Sequence, residues 1–234
     1  MKNAQNRFQS RHPQNYRNPD SNPYLKIHHE YGPPVIVAED APSFRGQWAR
    51  AFGGRDAPLH LEIGPGNGFF LSGMAQRHPN TNWLGIEIRF KRVVLCARKI
   101  DAEGVKNARI ARYDAWCLDD LFEPGELSCL ITHHPDPWPR ARHAARRLSG
   151  PEFAAWASRA LKPGGLWRMK TDYHPHIISL QKSIADLPFQ VTGRVDDVRL
   201  NGVPWPEDED VVTNYQRKFY EKNEPIYAIE LSRE

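Results

Sequence analysis

The sequence predicts an α/β fold: a doubly wound, mostly parallel sheet with helices on both faces, a last antiparallel strand and a flexible N-terminal arm. Three observations predict it. From residue 58 onward, short apolar runs alternate with stretches whose apolar residues recur at helical spacing. The first of those runs ends in a glycine-rich turn, Gly64-Pro65-Gly66-Asn67-Gly68. Residues 1–33, by contrast, are rich in Asn, Gln, Pro, Arg and His and show no hydrophobic period. Strands alternating with helices imply a parallel sheet covered on both faces. Residues 1–33 therefore read as a basic arm and 34–234 as one domain, and 40% hydrophobic residues suffice for one sizeable core.

Taken in order, Phe44, Trp48 and Phe52 recur at helical spacing and predict an amphipathic helix over 42–52. Residues 59–63 read as the first strand and 69–77 as the helix after it. A second strand spans 82–88, a second helix 90–103, and a third strand 108–113. A fourth strand, 127–132, leads into a polar loop that runs to Gly150. The helix over 151–161 has proline at its start and Pro163-Gly164-Gly165 just past its end, which suits both termini. A fifth strand covers 166–171 and another helix 175–187. The Pro-rich acidic loop 202–210 breaks the rhythm before a last strand at 226–231.

Several function classes are excluded at this level. No apolar run is long enough to span a bilayer, and the N-terminus lacks the apolar core of a secretory signal. The three cysteines, Cys96, Cys117 and Cys129, are too scattered for a disulfide framework or a CxxC metal pattern. No metal site is expected, and a reducing, cytoplasmic setting is. The net charge of +4 decides little, but its distribution says more. Arg140, Arg142, Arg146 and Arg147 cluster without an acid among them, and Lys2, Arg7, Arg11, Arg17 and Lys26 lie in the arm. Basic stretches flanked by aromatics suit phosphate contacts and base stacking.

The glycine turn narrows the ligand. Glycines there let the backbone approach a ligand and permit positive φ. The helix that follows presents its N-terminus, and in such sheets ligands sit at the carboxyl ends of the strands. A P-loop would need a terminal Gly-Lys-Ser/Thr, and a dinucleotide fingerprint would need glycine where Phe69 stands. Glu62, just before Gly64, disfavours a pyrophosphate and favours a cation. S-adenosylmethionine carries a sulfonium and an ammonium and no phosphate. Glu87 ends the second strand, where a carboxylate can accept from both ribose hydroxyls. Asp114, with Ala115 beside it, ends the third strand, placed to accept from an adenine amino group. The expected cofactor contacts are thus Glu62, Gly64, Gly66, Gly68, Glu87, Asp114 and Ala115.

The fourth strand ends in His133-His134-Pro135-Asp136-Pro137-Trp138-Pro139-Arg140, followed by Arg142-His143 and Arg146-Arg147. This segment resembles the bacterial tRNA (guanine-N(7)-)-methyltransferases, of the class I (Rossmann-like) S-adenosylmethionine-dependent superfamily. The resemblance continues through Leu161-Lys162-Pro163-Gly164-Gly165, Lys170-Thr171-Asp172 and Thr213-Asn214-Tyr215-Gln216-Arg217, and covers roughly residues 58–231. It implies that Asp136, with Glu62, Glu87 and Asp114, contacts the cofactor or the reaction centre. It implies that Arg140, Asp172 and the segment from Thr213 to Gln216 contact the guanine of a tRNA variable loop, and the basic set Arg142, His143, Arg146 and Arg147 is read with them. Relatives include monomers and homodimers. Five departures stand out: Arg140 for a lysine, Gln216 for a glutamate, Pro65 for a phenylalanine, His133-His134 for a more apolar pair, and Phe69 for an acid.

The chemistry agrees. Guanine N(7) carries no proton, so it can attack a sulfonium methyl group without a base. Positive charge moves onto the purine as the methyl transfers, and a nearby carboxylate favours that transition state. Asp136 and Asp172 are the expected catalytic groups, whereas His143 has no proton to remove. Two rivals remain. An exocyclic-amine methyltransferase would usually show Asp/Asn-Pro-Pro-aromatic after the fourth strand, and a non-catalytic RNA-binding relative would keep the fold without turnover.

Overall fold

The structure, a computed structural model, describes residues 22–234; residues 1–21 of the expected arm lie outside the described residues. Contacts divide the chain into two compact units, one ending at Glu123 and one running from Pro124 to Glu234.

The first unit is built on four parallel strands in the order β1-β4-β3-β2. These are β1 (Val35–Ile36), β2 (Leu59–Ile63), β3 (Asn82–Glu87) and β4 (Ala108–Arg112). β3 is buried almost throughout, as a central parallel strand must be. Two helices fill the crossovers, α2 (Phe69–Arg77) and α3 (Phe90–Ala102). α3 buries Phe90, Val93, Val94, Ala97 and Ile100, one stripe at helical spacing. The register is level at the carboxyl end: Ile63 pairs with Ile86, and Glu87 with Arg112.

Two expectations change here. The aromatic stripe over 42–52 is core but not one helix. It forms two 3-10 turns, Ala41–Phe44 and Trp48–Phe52, with Gly46 between them at φ 71°. Trp48 stacks at 5.5 Å on both Phe44 and Phe122, and its Nε1 donates to Leu121 O at 2.9 Å. The second change concerns the arm. Its last part folds as α1 (Pro23–Glu30), capped by the Asn22 side chain, and Tyr31 just past it donates to Asp101 on α3 at 2.8 Å.

α1 docks through His28, which is 1% exposed and meets Phe90 edge-on at 5.1 Å. Burial, then the neighbouring His29 and Arg112, hold the His28 pKa down to about 3. The folded value lies below the unfolded one, so between about 3 and 6.5 the unfolded chain holds the extra proton. Stability is therefore complete above that window and is lost as pH falls through it. Each unit of pH lost there costs up to about 1.4 kcal/mol for this one ring. Thermal melts from about pH 7.5 down to about pH 4.5 should show a steeper loss in the wild type than in His28→Phe; parallel curves would remove His28 from the acid response.

The second unit orders its strands β5-β6-β8-β7. β5 (Leu127–His133) and β6 (Leu161–Thr171) are parallel, and β8 (Tyr227–Arg233) runs antiparallel to both β6 and β7 (Phe189–Val195). The expected reversed strand is β8, and β7 is an additional strand outside it. α4 (Pro151–Ala160) begins on Pro151 and runs straight into β6. Pro163-Gly164-Gly165 does not separate helix from strand; it bulges out of β6, where the register jumps from Leu127↔Leu161 to Cys129↔Leu166. α5 (Pro175–Ser183), the one-turn α6 (Val198–Asn201) and α7 (Asn214–Glu221) complete the unit. No helix among the described residues is long and apolar enough to cross a membrane.

Candidate active site

In the first unit the carboxyl ends of β2, β3 and β4 carry Glu62, Glu87 and Asp114. Gly64 donates its amide to Ile86 O at 2.8 Å, which fixes where the turn leaves the sheet. Pro65 is buried against Gly85 of β3, where a side chain would meet Pro65 Cγ at 2.9 Å. Gly64 and Gly66 adopt φ of 72° and 57°, and a Cβ on either would meet nothing within 4 Å. The turn thus shows open space at both positions, on the edge where the carboxylates end.

Gly68 has a different role. A Cβ there would lie 2.6 Å from Cys96 Sγ, and its amide is already given to Pro65 O at 2.9 Å. It lets α3 approach the head of α2, leaving the ligand side to Gly64 and Gly66.

Burial first, then the charges of Glu62 and Glu87, push the Cys96 thiol well up. Glu62 and Asp114 are buried, at 3% and 4% exposure. Glu87 Oε1 accepts from the amides of Ile88 and Arg89 at 2.9 and 3.0 Å, which holds the carboxylate rigid. Burial raises its pKa, against those two hydrogen bonds. Asp114 Oδ1 accepts from Trp116 N at 3.0 Å, closing the turn that carries half-buried Ala115. Carboxylates beside a glycine turn open at Gly64 and Gly66 fit the cationic, phosphate-free cofactor expected from the sequence.

In the second unit Asp136 sits at the tip of the loop after β5, exposed, midway between two residues in a left-handed conformation. His134 has φ 48° and Trp138 φ 41°, a conformation side chains rarely adopt without support. The support is visible. His134 donates its amide to Lys170 O at 2.7 Å, and Arg147 clamps Trp138 O from Nε and Nη2 at 3.1 and 2.9 Å. His176 Nε2 lies 3.2 Å from Asp136 O, with its Nδ1 2.8 Å from Ser149 Oγ.

Asp172 stands just past β6. His134 Nδ1 lies 3.3 Å from its Oδ1, and the Tyr215 hydroxyl donates to the same oxygen at 3.4 Å. Burial raises the Asp172 pKa, but the hydrogen bond from His134 and the contact with Tyr215 outweigh it, and the group is held ionised. Burial keeps His134 neutral, against the pull of Asp172, so its Nδ1–H is the donor. Burial and the Asp172 charge push the Tyr215 hydroxyl up to about 12, so it stays a donor.

The remaining expected contacts separate into two groups. Arg140, Arg142 and Arg146 are exposed on the 3-10 turn Ala141–Arg146 or at its start. Arg146 lies over the Trp138 ring at 5.0 Å, and His143 meets that ring edge-on at 5.6 Å. Arg147 donates to the Trp138 carbonyl and so shapes the loop. Tyr215 and Asn214 are exposed at the start of α7, and Thr213 caps it, accepting from Gln216 N at 3.2 Å. Gln216 is not presented to a ligand at all. It is fully buried, accepts from Lys170 Nζ at 2.9 Å and donates to the Tyr220 hydroxyl. Sequence reasoning quoted Lys170 and His134 without giving either a role, and gave none to His176 or Asp210. A lysine two positions after Arg168 on one face of a strand that is otherwise apolar there was the available signal, because a buried ammonium needs a partner.

Comparisons with known proteins give the family and the fold. The family described as "Putative methyltransferase" matches residues 56–229. The tRNA (guanine-N(7)-)-methyltransferase of Streptococcus thermophilus is 34% identical over 208 residues, covering 88% of this chain and 92% of that one. The same enzyme of Bacillus subtilis is 32% identical over 197 residues, covering 84% and 90%. Among solved structures, the 16S rRNA methyltransferase KamB matches with a TM-score of 0.60 at 13% identity, covering 79% of this chain and 91% of that one. At that identity the likeness carries the fold alone, the class I methyltransferase type. The chain is a member of the bacterial tRNA (guanine-N(7)-)-methyltransferase family.

Proposed function

We propose that this chain transfers a methyl group from S-adenosylmethionine to N(7) of a guanine in tRNA, and that the guanine is the one in the variable loop. The observation that carries the acceptor side is the ionised Asp172, held by His134 and Tyr215. The cofactor, when bound, supplies an electrophilic methyl group on a sulfonium. Glu62, Glu87 and Asp114 would hold it, against the open turn at Gly64 and Gly66. Asp172 then accepts from the N–H edge of the guanine and fixes its angle of attack, where orientation is worth several kcal/mol. Asp136, presented on its braced loop, stabilises the charge that grows on the purine. No residue need remove a proton from the nucleophile. Arg140, Arg142 and Arg146 contact phosphates, and the Trp138 ring under Arg146 adds a stacking face. A tRNA substrate fits a cytoplasmic setting.

One experiment separates this reading from methylation of an exocyclic amine. Labelled methyl groups should pass to an unmodified tRNA and not to a transcript in which 7-deazaguanine replaces guanine. Transfer to the 7-deaza transcript would contradict attack by N(7).

Residues 1–21 bring Lys2, Arg7, Arg11 and Arg17 to the same task. Deleting them should weaken tRNA binding and flatten its dependence on salt, since each lost phosphate contact removes close to one released counterion. Affinity for S-adenosylmethionine should not change. Identical salt slopes for the two proteins would rule out an RNA-binding arm.

A further inference from the structure

Lys170 lies near the end of β6, is fully buried, and has a carboxylate and an amide among its partners. Its ammonium donates to Asp210 Oδ1 at 2.6 Å and to Gln216 Oε1 at 2.9 Å. Asp210 follows the acidic 3-10 turn Glu207–Glu209, and Gln216 sits in the first turn of α7. Just beyond Lys170, Asp172 accepts from the Tyr215 hydroxyl at 3.4 Å. The end of β6 and the start of α7 are therefore stitched by two adjacent contacts, one buried and one at the surface. The loop before α7 is held a second time. Arg168 shares a face of β6 with Lys170, and pairs with Glu209 and with Glu230.

An ammonium taken out of water needs a counter-charge, and an amide cannot supply one. Asp210 supplies that charge, and Gln216 supplies a neutral second acceptor. We propose that Lys170 is a positioning residue for the end of α7 that carries Tyr215, and that Asp210 and Gln216 form an exchangeable carboxylate–amide pair around it. The lysine acts through Gln216: it fixes the first turn of α7 and so sets the Tyr215 hydroxyl against Asp172. The inference rests on the proposed reading, in which that end of α7 meets the guanine.

The test compares steady-state kinetics on unmodified tRNA for the wild type, Asp210→Asn, Gln216→Glu and the double variant Asp210→Asn/Gln216→Glu. Cofactor affinity and thermal stability are measured beside them. Asp210→Asn should lower kcat/KM for tRNA by about tenfold or more, because small displacements of positioning groups cost that much. Gln216→Glu alone places two carboxylates on one lysine and should also be impaired. The double variant restores one of each and should return to within about threefold of the wild type, a non-additivity expected only of groups in contact. Affinity for S-adenosylmethionine should stay constant throughout. A merely structural ion pair would lower stability and leave tRNA kinetics alone. Wild-type kinetics in Asp210→Asn, or a double variant no better than Asp210→Asn, would overturn the inference. Should Asp210→Asn fail to fold, the double variant decides by itself: folded and active supports the pair, unfolded or inactive refutes it. A wild type that methylates no tRNA would overturn the functional reading and this inference with it, whereas equal methylation by Asp210→Asn overturns this inference alone.

Discussion

Asp136→Ala should abolish methyl transfer to tRNA and leave the protein folded. The carboxylate is exposed, and the hydrogen bond that ties Asp136 down is made at its backbone oxygen, by His176. Exposed substitutions of that kind usually change stability by less than about 0.5 kcal/mol. The catalytic cost is of another order. Removing one group aimed at developing charge lowers turnover by about a hundredfold to a thousandfold. Asp136→Asn tests the electrostatic part separately: it keeps the shape of the loop, loses the charge, and should be nearly as inactive. Both variants should retain the wild-type melting temperature. Near-normal turnover by either one would remove Asp136 from the mechanism, and Asp172 would then carry the acceptor chemistry alone.

Glu87→Ala should cost most of the affinity for S-adenosylmethionine. Glu87 Oε1 is already taken by the amides of Ile88 and Arg89, so the second oxygen is the one left for the ribose hydroxyls. Hydrogen bonds to a charged group contribute about 1.5–3 kcal/mol each, so two of them correspond to a rise in Kd of about a hundredfold or more. The backbone contacts add a stability cost of about 1 kcal/mol, as for a lost helix cap. Glu87→Gln keeps an oxygen for Ile88 and Arg89, and should therefore separate the two effects: stability recovers and cofactor affinity does not. Because burial raises the Glu87 pKa, the carboxylate protonates earlier than an exposed glutamate as pH falls. Cofactor affinity in the wild type should accordingly weaken with falling pH, and that dependence should flatten in Glu87→Gln. Calorimetric titration against pH reads both, and an unchanged Kd in Glu87→Ala would move the ribose contact elsewhere.

Where the sequence spoke clearly, a period or a terminator spoke for it. The helix Phe69–Arg77 follows a glycine turn, and Phe90–Ala102 repeats its apolar residues at helical spacing, so both were legible. β7 was not read, although Phe189, Val191 and Val195 alternate with Gln190, Thr192 and Arg194; the strand is largely exposed, and Gly193 interrupts its apolar side. β1 is too short to leave a pattern, and it depends on pairing with Ile110 and Ala111. α7 was recognised as a motif and not as a helix, although Thr213 and Gln216 have the spacing of a capping box.

The candidate site divides in the same way. Acids at strand ends are a local property, and Glu62, Glu87 and Asp114 do stand at the ends of β2, β3 and β4. Contacts between distant segments left no local trace. Nothing near Gln216 says that it turns inward to Lys170, and nothing near Arg147 says that it closes on the Trp138 carbonyl. Gly68 looked like its neighbours in the turn until Cys96 was seen to fill the space beside it.

The most direct measurement is the identity of the methylated nucleoside. Unmodified tRNA, incubated with the chain and S-adenosylmethionine, is digested and its nucleosides are resolved by mass and retention. The account predicts 7-methylguanosine as the product, formed by the wild type and about a hundredfold or more slower with Asp136→Ala. A methyl group on an exocyclic nitrogen, or unmodified nucleosides throughout, would contradict it.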